Sequence, residues 1–225
     1  KITVCKYSRQ IVRFLQTKNV KAVVVACNTA SALALDEIRD EIDIPVLGVV
    51  EPGAVMAAKT TRTKNIGIIG TESTIKSGIY NKFLHRIDPD ITVVSKACPL
   101  FVPLVEEGLL HDSVTDEIAS RYLSVLKGKY IDTLVLGCTH YPLLRSTIRR
   151  LMGDEVTLVN PAYETAVELR ELLAARDLSR EEQAPLLGEQ YQFFVSDLAE
   201  KFTDFATAIL PGEVKETRQI SIEEY

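Results

Sequence analysis

The 225-residue sequence predicts an α/β protein of two pseudo-symmetric lobes, each a mainly parallel sheet flanked by helices, with an active site in the cleft between them. Three observations carry that expectation. Short runs rich in Val and Ile alternate with longer amphipathic stretches through most of the chain, as βαβ units require. Two turn-like steps, Glu51-Pro52-Gly53 and Asn160-Pro161, offer crossing points between lobes. A strand, a cysteine, a nearby threonine and a helix follow one another twice, once around Cys27 and once around Cys138.

Taken in chain order, strands are expected over 22–26, 46–50, 65–69, 92–95, 133–136, 156–159 and 192–195, where AVVVA, VLGVV, NIGII, TVVS, TLVL, VTLV and QFFV are short and β-branched or aromatic. Helices are expected over 8–17, 31–41, 75–86, 114–126, 143–151, 162–175 and 198–210, where apolar residues recur at helical spacing. If the chain enters the second lobe at the first crossing and returns at the second, residues 54–159 form one lobe, and 1–53 with 160–225 form the other. The charged tail after Gly212 reads equally as a disordered end or as a docked edge strand.

The composition narrows the function classes. With 46% apolar and 25% charged residues, a formal charge of −5 and a pI near 5.4, the chain carries no basic stripe for nucleic acid or a membrane surface. A small-molecule partner fits better. No apolar run approaches the ~20 residues of a membrane span, and no signal sequence opens the chain, so a cytoplasmic location is expected. The four cysteines, at positions 5, 27, 98 and 138, show neither a CxxC pair nor metal-ligand spacing. No metal site is expected.

A lone cysteine at a strand end is more often a core residue than a functional one. The pairing changes the balance. In parallel sheets ligands bind at the carboxyl ends of strands, so two such thiols would face one cleft if the lobes met face to face. A helix start beside each thiol is expected to lower its pKa and to attract carboxylates. Two thiols on opposite sides of one tetrahedral carbon suit stereochemical inversion, one removing a proton while the other delivers a proton to the opposite face. Asn28, Thr29 and Thr139 stand beside the thiols as donors. Thr71 and Thr74, in GTESTIKSGIY, open a further helix after a strand. Each of these has a plain alternative as a helix cap. His140, two residues beyond Cys138, could orient it or shuttle protons, or could be a surface histidine.

The segments VVVACNTA, GTESTIKSGIY, CPLFVPLVEEG and GCTHYPLL, in this order and spacing, resemble the glutamate racemases of the aspartate/glutamate racemase superfamily, over nearly all of residues 1–175. The resemblance implies a cytoplasmic, homodimeric enzyme that uses no cofactor and supplies D-glutamate for peptidoglycan. Carried over by motif, it implies that Cys27 and Cys138 are the acid/base thiols, Cys27 acting on D-glutamate and Cys138 on L-glutamate. It implies that Asn28, Thr29, Thr71, Thr74 and Thr139 contact the carboxylates and amino group, and that His140 and Glu106 assist Cys138. Glu107 is an equal candidate for the role of Glu106.

That family opens with a strand and an Asp-Ser-Gly loop and later has a Pro-Tyr-Gly loop; neither occurs here, and both are expected to precede Lys1. Removing such a strand would expose a sheet edge. Asn160-Pro161-Ala162 stands where an acidic residue followed by Ser is more usual. Two other readings stay open: a racemase acting on aspartate or another small acid, and a truncated, non-catalytic remnant that binds an amino acid or a protein.

Overall fold

The structure, a computed structural model, describes residues 1–180, 191–214 and 216–225. Helix α1 (Ile2–Gln16) begins six residues before the expected start at 8, because its buried stripe of Val12 and Phe14 continues back to Cys5. Strand β1 (Val23–Val25) follows, then α2 (Asn28–Leu33) and α3 (Leu35–Glu41), and β2 (Val46–Gly48) returns in parallel beside β1. The single helix expected over 31–41 is therefore two. Ala34, at φ −126°, leaves helical geometry between them.

The turn expected at 51–53 is instead the start of α4 (Val50–Thr60). Pro52 sits in the first turn, where its missing N–H deprives the helix of nothing. Gly53 makes a close approach possible, since a Cβ there would lie 2.9 Å from the ring of Pro161. The two expected crossing points thus pack against each other.

Next come β3 (Asn65–Gly70), α5 (Glu72–Lys76), α6 (Ile79–Ile87) and β4 (Thr92–Ala97). The one helix expected over 75–86 breaks at Gly78, whose φ of +65° is left-handed backbone that favours glycine. Beyond β4 lie α7 (Phe101–Glu106), α8 (Ser113–Leu123), β5 (Thr133–Gly137), a 3-10 turn (Tyr141–Leu144), α9 (Arg145–Met152) and β6 (Thr157–Val159). Strands β3 to β6 form one wholly parallel sheet in the order β4-β3-β5-β6. Ile66, Ile68, Leu134 and Leu136 on its central strands are fully buried. Helices cover both faces, which is why these strands read as unbroken apolar runs.

The last elements are α10 (Pro161–Ala175), β7 (Phe193–Val195), α11 (Ala199–Ile209) and β8 (Thr217–Gln219). Asn160 caps α10, its side-chain oxygen accepting from Ala162 N at 3.1 Å. The tail after Gly212 docks as β8, parallel to β7.

Strand order places the site. Chain order reverses between β3 and β5, and open parallel sheets bind ligands beyond the carboxyl ends of the strands at such a switch. At that end Gly70 and Gly137 are register partners. A Cβ on Gly137 would come within 2.7 Å of the Ile69 carbonyl oxygen, so only glycine lets the two strand ends run this close. The opposite end is fastened by Asp132. Its carboxylate accepts from Thr61 Oγ1, the Arg62 and Thr63 amides and Thr133 Oγ1, at 2.6–2.9 Å. Burial pushes its pKa upward, but these donors outweigh burial and hold it at about 2.

Candidate active site

Cys27 follows the end of β1 and is the N-cap residue of α2. Its carbonyl accepts from Ser31 N at 2.8 Å. Ser31 in turn donates to Val25 O at 2.7 Å and accepts from Val49 N at 3.2 Å. One buried serine therefore fixes the head of α2 to the ends of β1 and β2, and the exposed thiol of Cys27 with it.

Cys138 follows the end of β5, 7% exposed, within the core cluster that includes Phe101, Leu136 and Tyr141. Tyr141 anchors this loop by donating to Cys98 O at 2.8 Å. The sequence led to the expectation of a lowered thiol pKa; the pKa of Cys138 is raised. Burial is the main cause, and the amides of His140 and Tyr141 and the Thr139 side chain, which favour the thiolate, offset it only in part. The turn after Cys138 is 3-10 and not the α-helix whose dipole was expected to act there. The charge of Cys27 adds a smaller upward push to the Cys138 thiol.

The groups around Cys138 form a chain. His140 Nδ1 lies 3.8 Å from Cys138 Sγ and 3.2 Å from Thr139 Oγ1, and its Nε2 lies 3.2 Å from Glu106 Oε1. The ring thus presents Nε2 to the Glu106 carboxylate and Nδ1 to the thiol and the Thr139 hydroxyl. Glu106 ends α7, which positions it. Its neighbour Glu107 turns instead to Lys201 of α11, at 3.4 Å. Phe205, also of α11, stacks on the His140 ring at 6.0 Å with 21° between the planes.

The threonines converge from two helices. Thr29 Oγ1, at the head of α2, lies 2.8 Å from Thr71 Oγ1 and 3.0 Å from Thr74 Oγ1, and these last two are 3.0 Å apart. Helices α2 and α5 have only six and five residues, so three hydroxyls, and not long helix dipoles, make this corner polar. Asn28 meets Tyr80 of α6, whose hydroxyl donates to Asn28 Oδ1 at 2.6 Å. Tyr80 also lies against Gly137, 3.4 Å from where a Cβ would stand. The head of α2 thus meets the end of β3 through Thr29 and, by way of Tyr80, the end of β5, while Cys138, Thr139, His140 and Glu106 form a second bonded group beyond β5.

Two residues in contact with these groups, Tyr80 and Phe205, were not singled out in the sequence; a buried tyrosine requires a hydroxyl partner, and that was the available signal for the first. A cavity of about 1010 Å³, lined by Phe14, Phe193, Phe202, Phe205, Lys201 and Glu106 among others, borders the Glu106 side and touches neither junction thiol. Among the described residues no group of three His, Cys, Asp or Glu side chains is gathered to hold a metal ion, and no helix is long and apolar enough to cross a membrane.

Residues 4–169 match the family described as Asp/Glu/Hydantoin racemase. The chain belongs to that family. A glutamate racemase of Geobacter metallireducens is 46% identical over 98% of this chain and 81% of its own length. A glutamate racemase of Bacillus anthracis has a similar structure, with a TM-score of 0.91 and 37% identity over 97% of this chain and 80% of that one. A third, from Francisella tularensis and solved in complex with D-glutamate, gives a TM-score of 0.90 at 32% identity over 100% and 82%.

Proposed function

We propose that the chain interconverts L- and D-glutamate by two-thiol acid/base catalysis at Cys27 and Cys138. The observation that carries the reading is that Thr29, beside Cys27, bonds to Thr71 and Thr74 at the end of β3, whose last residue Gly70 is the register partner of Gly137, directly before Cys138. The relatives named glutamate racemase support the substrate, and so does the D-glutamate bound in the Francisella tularensis structure.

In the reading, one cysteine is a thiolate and the other a thiol. The thiolate takes the α-proton; the bond's electron pair passes to carbon and is delocalised into the adjoining carboxylate. The second thiol then protonates carbon from the opposite face, leaving the first cysteine as thiol and the second as thiolate. Proton exchange with solvent resets the pair. Cys138 serves L-glutamate and Cys27 D-glutamate. His140, held by Glu106, orients and exchanges the Cys138 proton. Asn28, Thr29, Thr71, Thr74 and Thr139 receive the carboxylates and ammonium group, which lowers the energy of the negative charge that develops during transfer.

The same reading makes the protein a cytoplasmic homodimer that supplies D-glutamate for peptidoglycan, on the strength of the family resemblance. It treats 54–159 as one lobe and 1–53 with 160–225 as the other. The confinement of β3 to β6 to the first of these ranges and the packing of Gly53 on Pro161 support that division. The test is chiral chromatography of L-glutamate, D-glutamate, L-aspartate and L-alanine incubated with the protein and no added cofactor. Racemisation of glutamate well ahead of the others is expected. Equal turnover of aspartate would transfer the assignment to a shorter acid, since a misplacement of about one ångström can cost roughly a hundredfold. No turnover of any substrate would reject the proposal.

A further inference from the structure

We propose that Tyr80 is a positioning residue that sets which end of the Asn28 amide faces the substrate, turning the Nδ2 donors toward it and so making Asn28 a reader of carboxylate and not of ammonium. The inference rests on the racemase reading of the site and adds a residue and a polarity to it.

The polarity follows from counting protons. Tyr80 is 2% exposed, and burial holds its hydroxyl far above the ordinary phenol pKa, so the group keeps its proton throughout the working range. A buried hydroxyl that keeps its proton must give it to an acceptor. Among the described residues the hydroxyl's one side-chain partner is Asn28, at 2.6 Å. If the amide were turned to present Nδ2, two donors would face each other and the phenol proton would have no acceptor. Oδ1 therefore faces Tyr80.

The other half of the amide is then fixed too. Asn28 is 4% exposed and stands at the first position of α2, directly after Cys27. No protein group among the described residues engages Nδ2. Its two N–H donors are left for whatever occupies the polar corner beside Thr29. They complement a carboxylate oxygen; they repel an ammonium group. Tyr80 is itself held by its surroundings: the ring packs in the cluster with Ala54, Leu84 and Val135, and its edge lies against the Gly137 backbone. The hydroxyl is thus presented from a rigid wall, and the amide has one favoured orientation before substrate arrives.

The experiment is a double-mutant cycle on Tyr80→Phe and Asn28→Ala, read by KM and kcat and by calorimetric binding of glutamate, which needs no turnover. Tyr80→Phe keeps the ring and removes only the bond that orients the amide, so KM and Kd are expected to rise roughly tenfold with kcat within about twofold. In the Asn28→Ala background the same change is expected to have almost no further effect on binding, because Tyr80 acts through Asn28. Asn28→Asp, which places a carboxylate oxygen where Nδ2 stood, is expected to weaken glutamate binding more than Asn28→Ala does. Wild-type affinity in Tyr80→Phe, a full tenfold effect of Tyr80→Phe in the Asn28→Ala background, or tighter binding by Asn28→Asp would overturn the proposal. If the unaltered protein neither racemises nor binds glutamate, the racemase reading fails first, and the Tyr80 proposal falls with it.

Discussion

Cys27 stands exposed at the head of a six-residue helix, whereas Cys138 is 7% exposed behind a loop that carries its own histidine. Both sit at the carboxyl end of a parallel strand, and what differs is what packs on them. The Cys27 side is fixed from below, by Ser31 bridging β1 and β2, and its neighbours Asn28 and Thr29 reach across to Tyr80, Thr71 and Thr74. The Cys138 side is fixed from above, by Glu106 bonded to His140 and by Phe205 stacked on it. One motif used twice has given an exposed thiol beside an asparagine and a threonine and a buried thiol beside a histidine. The contrast teaches that strand-end placement selects the location of a thiol, while its acidity is set by tertiary neighbours.

The largest effect should come from removing either thiol. Cys27→Ser and Cys138→Ser are each expected to lower racemisation on the order of a thousandfold, because a serine hydroxyl is a far weaker acid and base, with thermal unfolding little changed. Retention of near-wild-type activity by one of them would reduce the pair to a single catalytic thiol.

Loss of the chain behind Cys138 comes next. His140→Asn is expected to cost roughly a hundredfold in kcat/KM. The loss must be equal in both directions, since the equilibrium constant of a racemisation is unity. The asymmetry of the two sides should appear instead in isotope effects with α-deuterated substrate, rising for the enantiomer whose proton Cys138 removes. Phe205→Ala should reproduce a smaller part of the same pattern. An equal rise for both enantiomers would show that His140 serves both thiols.

A smaller effect separates the thiols chemically. Timed alkylation with iodoacetamide, followed by peptide mass analysis, is expected to label Cys27 at least tenfold faster than Cys138, because access and thiolate fraction both govern the rate. The sign of the pH dependence is set by burial: a raised pKa delays the Cys138 thiolate, so its labelling should still climb at pH values where an ordinary thiol has levelled off. Faster labelling of Cys138 would invert the comparison.

The smallest effect on activity is expected at the far end of the sheet. Asp132→Asn should leave kcat/KM within about twofold while lowering stability by roughly 2 kcal/mol, through the weakened bonds to Thr61 and the 62–63 amides. Asp132 has a depressed folded pKa, so its contribution is present above the ordinary carboxylate value of 3.8 and is lost as pH falls toward about 2. Melting curves across that window should therefore differ between wild type and variant at its upper end and converge at its lower end. A constant difference would remove the charge from the account.

Much of this was legible in the sequence where burial is uniform. Strands β3 and β5 are covered on both faces, so NIGII and TLVL read as strands without ambiguity. The breaks at Ala34 and Gly78 were not legible, because the apolar stripe continues across them. Helix α4 was hidden by Pro52 and Gly53, which mark a turn in isolation and a helix start packed on Pro161 in the fold. The residues of the two cysteine junctions stand out in the sequence because thiols, amides and hydroxyls at strand ends are conspicuous. Neither the choice of Glu106 over Glu107 as the partner of His140 nor the upward shift of Cys138 could be read, since both depend on which chain segments meet.

In the proposed mechanism Cys27 and Cys138 address opposite faces of one carbon. The direct measurement is racemisation of each pure enantiomer in deuterated water, stopped at low conversion, with deuterium at the α-carbon determined separately in product and in recovered substrate. Product is expected to carry solvent deuterium and recovered substrate to be almost free of it, in both directions, because the thiol that abstracts is not the thiol that delivers. Equal deuterium in early substrate and product would mean that one group serves both faces, and would contradict the two-thiol assignment.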